Sequence, residues 1–247
     1  MTMQGKRRVI IEAAVASPED ARRAVAAGAD RIELSQALEL GGLTPSIASI
    51  EATRRIVSCE LWVLIRPRAA GFRYDDGERP LMIADAVAAL KAGADGVVCG
   101  VLTSDDRIDL ETWRRLTEAI GGRRCAFHRA IDRCADPITA LESLVACGTR
   151  RVLSSGGAVS AWEGRARLSD LVRAAADRIE ILPGAGIDSD NARPLLEATG
   201  CVQLHGTFSR RAVDPAAPVG ADDYPVLDVE RLERVRAAVD RPIGDAC

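Results

Sequence analysis

The 247-residue sequence predicts a (β/α)8 TIM barrel, formed as a single domain over residues 1–247. Three observations lead there. Eight short apolar runs alternate with helical patterns, the arrangement of parallel strands joined by right-handed crossovers. A recurring junction, a small residue followed by Gly, closes helices at Ala27-Gly28, Ala92-Gly93, Cys147-Gly148 and Thr199-Gly200. Glycine just past a helix takes the left-handed conformation that ends it. Third, the first strand runs into Glu12-Ala13-Ala14-Val15 rather than a glycine-rich fingerprint, which sets aside a doubly wound nucleotide-binding sheet.

The elements follow in order. A β-branched run predicts strand one at 9–13, and Pro18 opens a helix over 18–27 that Gly28 stops. Strand two, 31–34, precedes a helix at 47–57. Strand three at 61–65 is followed by a helix at 83–91, and strand four at 96–99 by a helix at 110–120. Strand five, 124–127, leads to a helix at 138–146 behind Pro137; strand six, 151–153, leads to one at 163–176. Strand seven at 179–182 and a helix at 191–198 precede strand eight at 202–204 and a last helix at 229–239. The Pro, Ala, Gly and Asp of 213–225 predict a long loop of about 210–226, either a lid over the barrel mouth or a connector.

Composition narrows the function classes. Hydrophobic residues make up 47% and charged residues 28%, with a net charge of −3 and no basic cluster, which argues against a nucleic-acid partner. No apolar stretch is long enough to cross a bilayer. The basic start lacks a signal-peptide cleavage pattern, and the seven cysteines form no CxxC pair; both fit reduced thiols in a cytoplasmic protein.

A barrel strand is covered on both faces, so a charge inside one is costly unless paired. Here charges gather near strand carboxyl ends, the end that carries the active site in this fold. Glu12 ends strand one. Arg31 and Glu33 alternate with Ile32 and Leu34, so both charges share the interior face, where a structural ion pair between them is the alternative to a catalytic role. Arg66 ends strand three, His128-Arg129 with Asp132 ends strand five, and His205 ends strand eight. The only two histidines of the chain thus fall at strand ends.

Ser155 after strand six, and Gly184 and Gly186 after strand seven, offer hydroxyl and backbone donors to an anion; the bland alternative is that the glycines only make turns. These groups suit a small anionic (including phosphorylated) or polyhydroxylated metabolite. Glu12 or Glu33 would act as base, His128 as acid, and Arg31, Arg66 and Arg129 with Asp132, Ser155 and His205 would bind the ligand. The same carboxylates and imidazoles also suit a divalent metal. Of the tryptophans, Trp113 and Trp162 stand as interface anchors or as ordinary packing.

Several segments resemble the CutC family of cytoplasmic copper-homeostasis proteins: Gly28-Ala-Asp-Arg-Ile-Glu-Leu34, Glu39-Leu-Gly-Gly-Leu-Thr-Pro-Ser46, Ile65-Arg-Pro-Arg68, Phe127-His-Arg-Ala-Ile-Asp132 and Pro183-Gly-Ala-Gly-Ile187. The resemblance implies a β/α barrel, a homodimer or larger homo-oligomer, and Cu(I) held by cysteines. This chain departs from that pattern, with Ala13, Ala14 and Ser35 where family members carry cysteine. Cu(I) prefers soft sulfur ligands, and only Cys99 and Cys134 remain near the mouth. Two readings therefore stand: a copper-handling protein, with Cys99 and Cys134 as its metal ligands, and an acid–base barrel enzyme acting on a small anionic or polyhydroxylated metabolite, with a divalent metal or none.

Overall fold

The computed structural model describes residues 8–216 and 223–240. The basic N-terminal segment and Cys247 lie outside the described residues. Strands β1 (Ile10–Val15), β2 (Arg31–Leu34), β3 (Glu60–Leu64), β4 (Gly96–Cys99), β5 (Cys125–Phe127), β6 (Arg151–Ser154), β7 (Glu180–Pro183) and β8 (Gln203–Gly206) form one parallel sheet. Its order, β7-β6-β5-β4-β3-β2-β1-β8, is that of a barrel, and the ring closes between β7 and β8 through a single bridge, Gly184 to His205. Helices α1 (Pro18–Ala26), α2 (Ile47–Ile56), α3 (Glu78–Lys91), α4 (Leu110–Ile120), α5 (Pro137–Ala146), α6 (Arg165–Ala175), α7 (Ala192–Thr199) and α8 (Val229–Asp240) surround it. None is long and apolar enough to cross a membrane.

Period-two alternation sorts the strands into two layers. Outward residues such as Ile11, Ala13, Ile32, Leu34, Val63 and Val97 pack against the helices in one continuous apolar cluster. Trp113, expected as either an interface anchor or packing, is fully buried in that layer, edge-on to Phe127 with 4.9 Å between ring centroids, while its indole N–H donates to Thr149. Trp162 lies half-exposed with the Arg165 guanidinium over its ring. Gly28 and Gly93 end their helices at φ of +99° and +105°, as the junctions predict.

The inward layer is unusual. Its apolar part is small: Trp62, Leu64, Val98 and Ala126. Gly96 makes room for Trp62, since a Cβ there would stand 2.6 Å from the indole. Ala14 and Leu153 face the mouth above this cluster, and much of the remaining interior is ionic. Arg31 binds Glu12 through Nε and donates from Nη2 to Gln203 at 2.8 Å. Arg151 reaches Glu12 at 3.6 Å and Glu180 at 2.8 Å, with its guanidinium 4.6 Å from the Trp62 ring centroid. Lower in the barrel, Arg150 links Glu60 and Glu180 at 2.9 and 3.2 Å. The predicted pairing of Arg31 with Glu33 is therefore corrected. The strand register sets Glu12 directly beside Arg31, and adjacent strands lie closer than residues two apart on one strand.

Two elements differ from expectation. Helix α3 starts at Glu78 rather than 83, because Asp75 and Glu78 cap reciprocally: the Glu78 N–H donates to Asp75 and the Asp75 N–H to Glu78, at 2.8 and 2.9 Å. Pro80 then sits in the first turn, where its missing N–H costs nothing. The expected loop of 210–226 is largely an antiparallel hairpin of β9 (Ser209–Val213) and β10 (Asp223–Leu227), its tip outside the described residues.

Candidate active site

The ionic interior ends upward in a cavity of about 560 Å³ at the carboxyl ends of the strands. Its wall includes Glu33, Ser35, Leu64, Arg66, Phe72, His128, Arg129, Asp132, His205, Thr207, Phe208 and Arg231. That volume suits a small metabolite.

Glu12 stands below the floor, 1% exposed, and holds His205: Nδ1 of the imidazole lies 2.8 Å from Oε1 of Glu12. Burial alone would raise the Glu12 pKa. Arg31, the His205 hydrogen bond and Arg151 outweigh it and hold the carboxylate well below the usual range. For His205, burial works against the charge, but Glu33 and the Glu12 contact overcome it and raise the imidazole's pKa. Glu33, facing the same space, behaves oppositely to Glu12. Burial pushes its pKa up to about 7, and the Glu12 charge adds to the rise against the pull of His205. Two carboxylates in one barrel are thus split into a permanent anion and a group that exchanges its proton near neutrality, the arrangement proton-transfer sites use.

His128 extends from β5 beside Gly100, where a Cβ would clash with the imidazole at 2.5 Å. Its Nδ1 accepts the Ala130 N–H at 3.2 Å, which places the proton on Nε2. Burial, with Arg66 and Arg129 nearby, lowers its pKa to about 3. Near pH 7 such an imidazole is neutral and presents its Nε2–H as a hydrogen-bond donor rather than as a cationic acid.

Four polar atoms on this wall, Glu33 Oε2, Ser35 Oγ, Arg66 Nε and His128 Nε2, are buried without a protein partner among the described residues. Each such atom costs about 1–3 kcal/mol. Ser35 continues the interior alternation of Arg31 and Glu33, the signal by which sequence alone could have assigned it to the mouth.

The other predicted residues frame the cavity. Arg66 donates to the carbonyls of Leu40, Gly42 and Ala70 at 2.7–2.9 Å, so it ties two loops together. Asp132 accepts from Ser154 Oγ at 2.5 Å and from the N–H groups of Ser155 and Gly157, while Arg129 joins Asp132 and Ser155. Arg129, Asp132 and Gly186 line the cavity. Ser155 stands behind Asp132 and Gly184 in the bridge to His205; Arg31 lies in the ionic interior. Cys99 and Cys134 are not on the wall. Cys99 belongs to the outer apolar layer and Cys134 packs against it; burial raises the first thiol well above its ordinary range and the second to about 11. Sequence reading missed Gln203, Arg151 and Arg231, which come together only in the folded barrel.

Glu12, Glu33 and His205 offer ligand atoms within 4.8 Å of one another. The set fits a cation poorly. Both Glu12 oxygens are engaged, by Arg31 and His205, and the Arg31 and Arg151 guanidiniums already supply the positive charge. The oxygen and nitrogen donors are also not those Cu(I) prefers.

Residues 9–210 match the CutC family. The chain belongs to the CutC family. A CutC family protein of Treponema denticola is 40% identical over 218 residues, 88% of this chain and 89% of the relative. One from Xanthomonas axonopodis pv. citri is 40% identical over 231 residues, 91% and 96% of the two chains. The crystal structure of a CutC protein from Streptococcus agalactiae superposes with a TM-score of 0.77 at 32% identity, covering 81% of this chain and 98% of that one. The family match ends at residue 210, before α8 and its Arg231.

Proposed function

We propose that this CutC family member is a cytoplasmic enzyme that transfers a proton on a small carbonyl- or hydroxyl-bearing metabolite. The observation that carries the reading is the set of four buried, unpartnered polar atoms on one cavity wall: Glu33 Oε2, Ser35 Oγ, Arg66 Nε and His128 Nε2. Native proteins pair such groups, so a cavity that keeps four of them open is complementary to a polar ligand. Glu33 removes the proton from a carbon next to the substrate carbonyl. The C–H electron pair moves into the new C=C bond, and the oxygen, now carrying the charge, takes the hydrogen bond of His128 Nε2–H. Glu33 then returns the proton. His205, fixed by Glu12, supports the Glu33 charge when the carboxyl is ionised. The six described cysteines are unpaired, in keeping with a reducing compartment.

The Streptococcus agalactiae relative is named for copper homeostasis. In this chain the thiols stand away from the cavity and the family's cysteine positions hold Ala13, Ala14 and Ser35, which favours the metabolite. The test incubates the protein in D2O with a panel of hydroxy-ketones, aldehydes and 2-oxo acids, with and without phosphate groups, and follows carbon-bound proton loss by NMR. Exchange by the wild type that disappears in Glu33→Gln is expected. Exchange that survives in Glu33→Gln overturns the assignment. No exchange with any compound, together with a stoichiometric Cu(I) site, overturns the reading in favour of copper.

A further inference from the structure

The cavity is chemically two-sided. Its floor carries the proton-handling groups. Its rim, on the side of the β7 and β8 loops, carries donors that the ionic network below does not use. Of the four arginines on the wall, Arg129 alone touches an acid closely, at 3.1 Å from Asp132. Arg133 stands 4.0 Å from Asp106, and the Nη groups of Arg66 are engaged by carbonyls. Arg231, from the first turn of α8, donates its backbone N–H to Asp228 at 3.0 Å, but its guanidinium has no carboxylate partner among the described residues and donates only to the Ser209 carbonyl at 3.4 Å. Thr207, after β8, and Gly186 and Ile187, after β7, line the same cavity. The N–H groups of Gly186, Ile187, Thr207 and Phe208 donate to no backbone or side-chain acceptor among the described residues.

Accepting the proton-transfer reading of the floor, we infer that this rim is a phosphate subsite, in which Arg231, the Thr207 hydroxyl and the backbone N–H groups of the β7 and β8 loops hold the phosphate monoester end of the substrate. An unpaired guanidinium with a hydroxyl and successive N–H groups from two loops offers more donors than a carboxylate can use. A phosphate dianion, with three terminal oxygens, can use them. A substrate so held by one end places its other end over Glu33 and His128. The cationic excess of the wall matches the ligand's charge.

The test is calorimetric titration with inorganic phosphate at about pH 8, where phosphate is a dianion, with acetate as the comparison. Saturable one-to-one phosphate binding is expected, with acetate weaker by about tenfold or more. Arg231→Ala is expected to weaken phosphate about tenfold to a hundredfold, the loss of one charge-assisted contact set. Arg231→Gln retains the stem's packing and is expected to lose as much; Thr207→Val loses less. Glu33→Gln is expected to bind phosphate at least as tightly as wild type, because it removes a negative charge from the floor and leaves the rim intact.

No saturable phosphate binding, acetate as tight as phosphate, or unchanged affinity in folded Arg231→Gln overturns the subsite. The two readings fail separately. Deuterium exchange on compounds that lack phosphate, with no phosphate binding, removes the subsite and leaves proton transfer. Phosphate binding lost in Arg231→Gln, with no exchange on any compound, leaves the subsite and removes proton transfer.

Discussion

Replacing Glu33 by Gln tests the electrostatics of the site without knowledge of the substrate. The carboxyl sits at about 7 in the folded chain against an ordinary value of 4.5, raised first by burial. A carboxyl whose folded pKa is raised holds its proton more tightly folded than unfolded. Below pH 4.5 both states are protonated and Glu33 costs nothing extra. From there to about pH 7 the unfolded chain releases the proton first, and above pH 7 the folded state bears the full cost of a buried charge. A difference of this size, at about 1.4 kcal/mol per pKa unit, amounts to about 3 kcal/mol. Gln keeps the shape and the hydrogen-bonding end but cannot ionise. Urea denaturation followed by circular dichroism is expected to find Glu33→Gln within about 1 kcal/mol of wild type near pH 5. It should be more stable by about 3 kcal/mol near pH 8.5, a midpoint shift of roughly 1 M. A difference that is the same at both pH values would refute the argument, because burial of an ionisable group would then not be its source.

Three further outcomes follow from the same interior. The chain has two histidines, so imidazole NMR resolves both: His128 should stay neutral with its proton on Nε2 at every pH above about 4, while His205 should titrate above its ordinary value, and the stability it contributes should fade as pH rises through that point. Arg31→Met removes one partner of the buried Glu12 and should lower stability by about 3–5 kcal/mol in urea, whereas Arg22→Met on the exposed Glu19 pair should leave it nearly unchanged. In an anaerobic Cu(I) competition titration, Cys99→Ala and Cys134→Ala should bind no less copper than wild type, since neither thiol reaches the cavity.

The barrel was legible because its strands are buried on both faces, which makes them short β-branched runs, and because glycine at Gly28, Gly93, Gly148 and Gly200 punctuates the helices. The start of α3 was hidden by Gly77 and Pro80, which read as breakers although the Asp75–Glu78 exchange turns them into a first turn. The β9–β10 hairpin was hidden by Pro225, tolerable in a strand of a two-stranded ribbon and atypical of a central one. At the site, period two placed Arg31 and Glu33 on the interior face. It could not choose Arg31's partner, which depends on the β1–β2 register. The role of His128 depends on how deeply it is buried and on a hydrogen bond from Ala130, neither of which spacing encodes. Arg231 reaches the mouth from a helix more than twenty residues beyond β8, a contact no local pattern announces.

The closure between β7 and β8 gives the ring a clasp. Seven of its eight joints are ladders; the eighth is one backbone bridge at Gly184 and His205, with the Gln203 side chain donating to the Ile181 carbonyl at 3.3 Å lower down. Gln203 is itself steadied by Arg31, and His205 by Glu12. The charged interior therefore fastens a seam that backbone hydrogen bonds leave almost open, and the imidazole at the mouth is one of the two pins. Any strain that parts this seam displaces His205 first. Loss of the proposed proton transfer should thus precede loss of the fold, and the slots on either side of the clasp are where amide protons should exchange earliest with solvent.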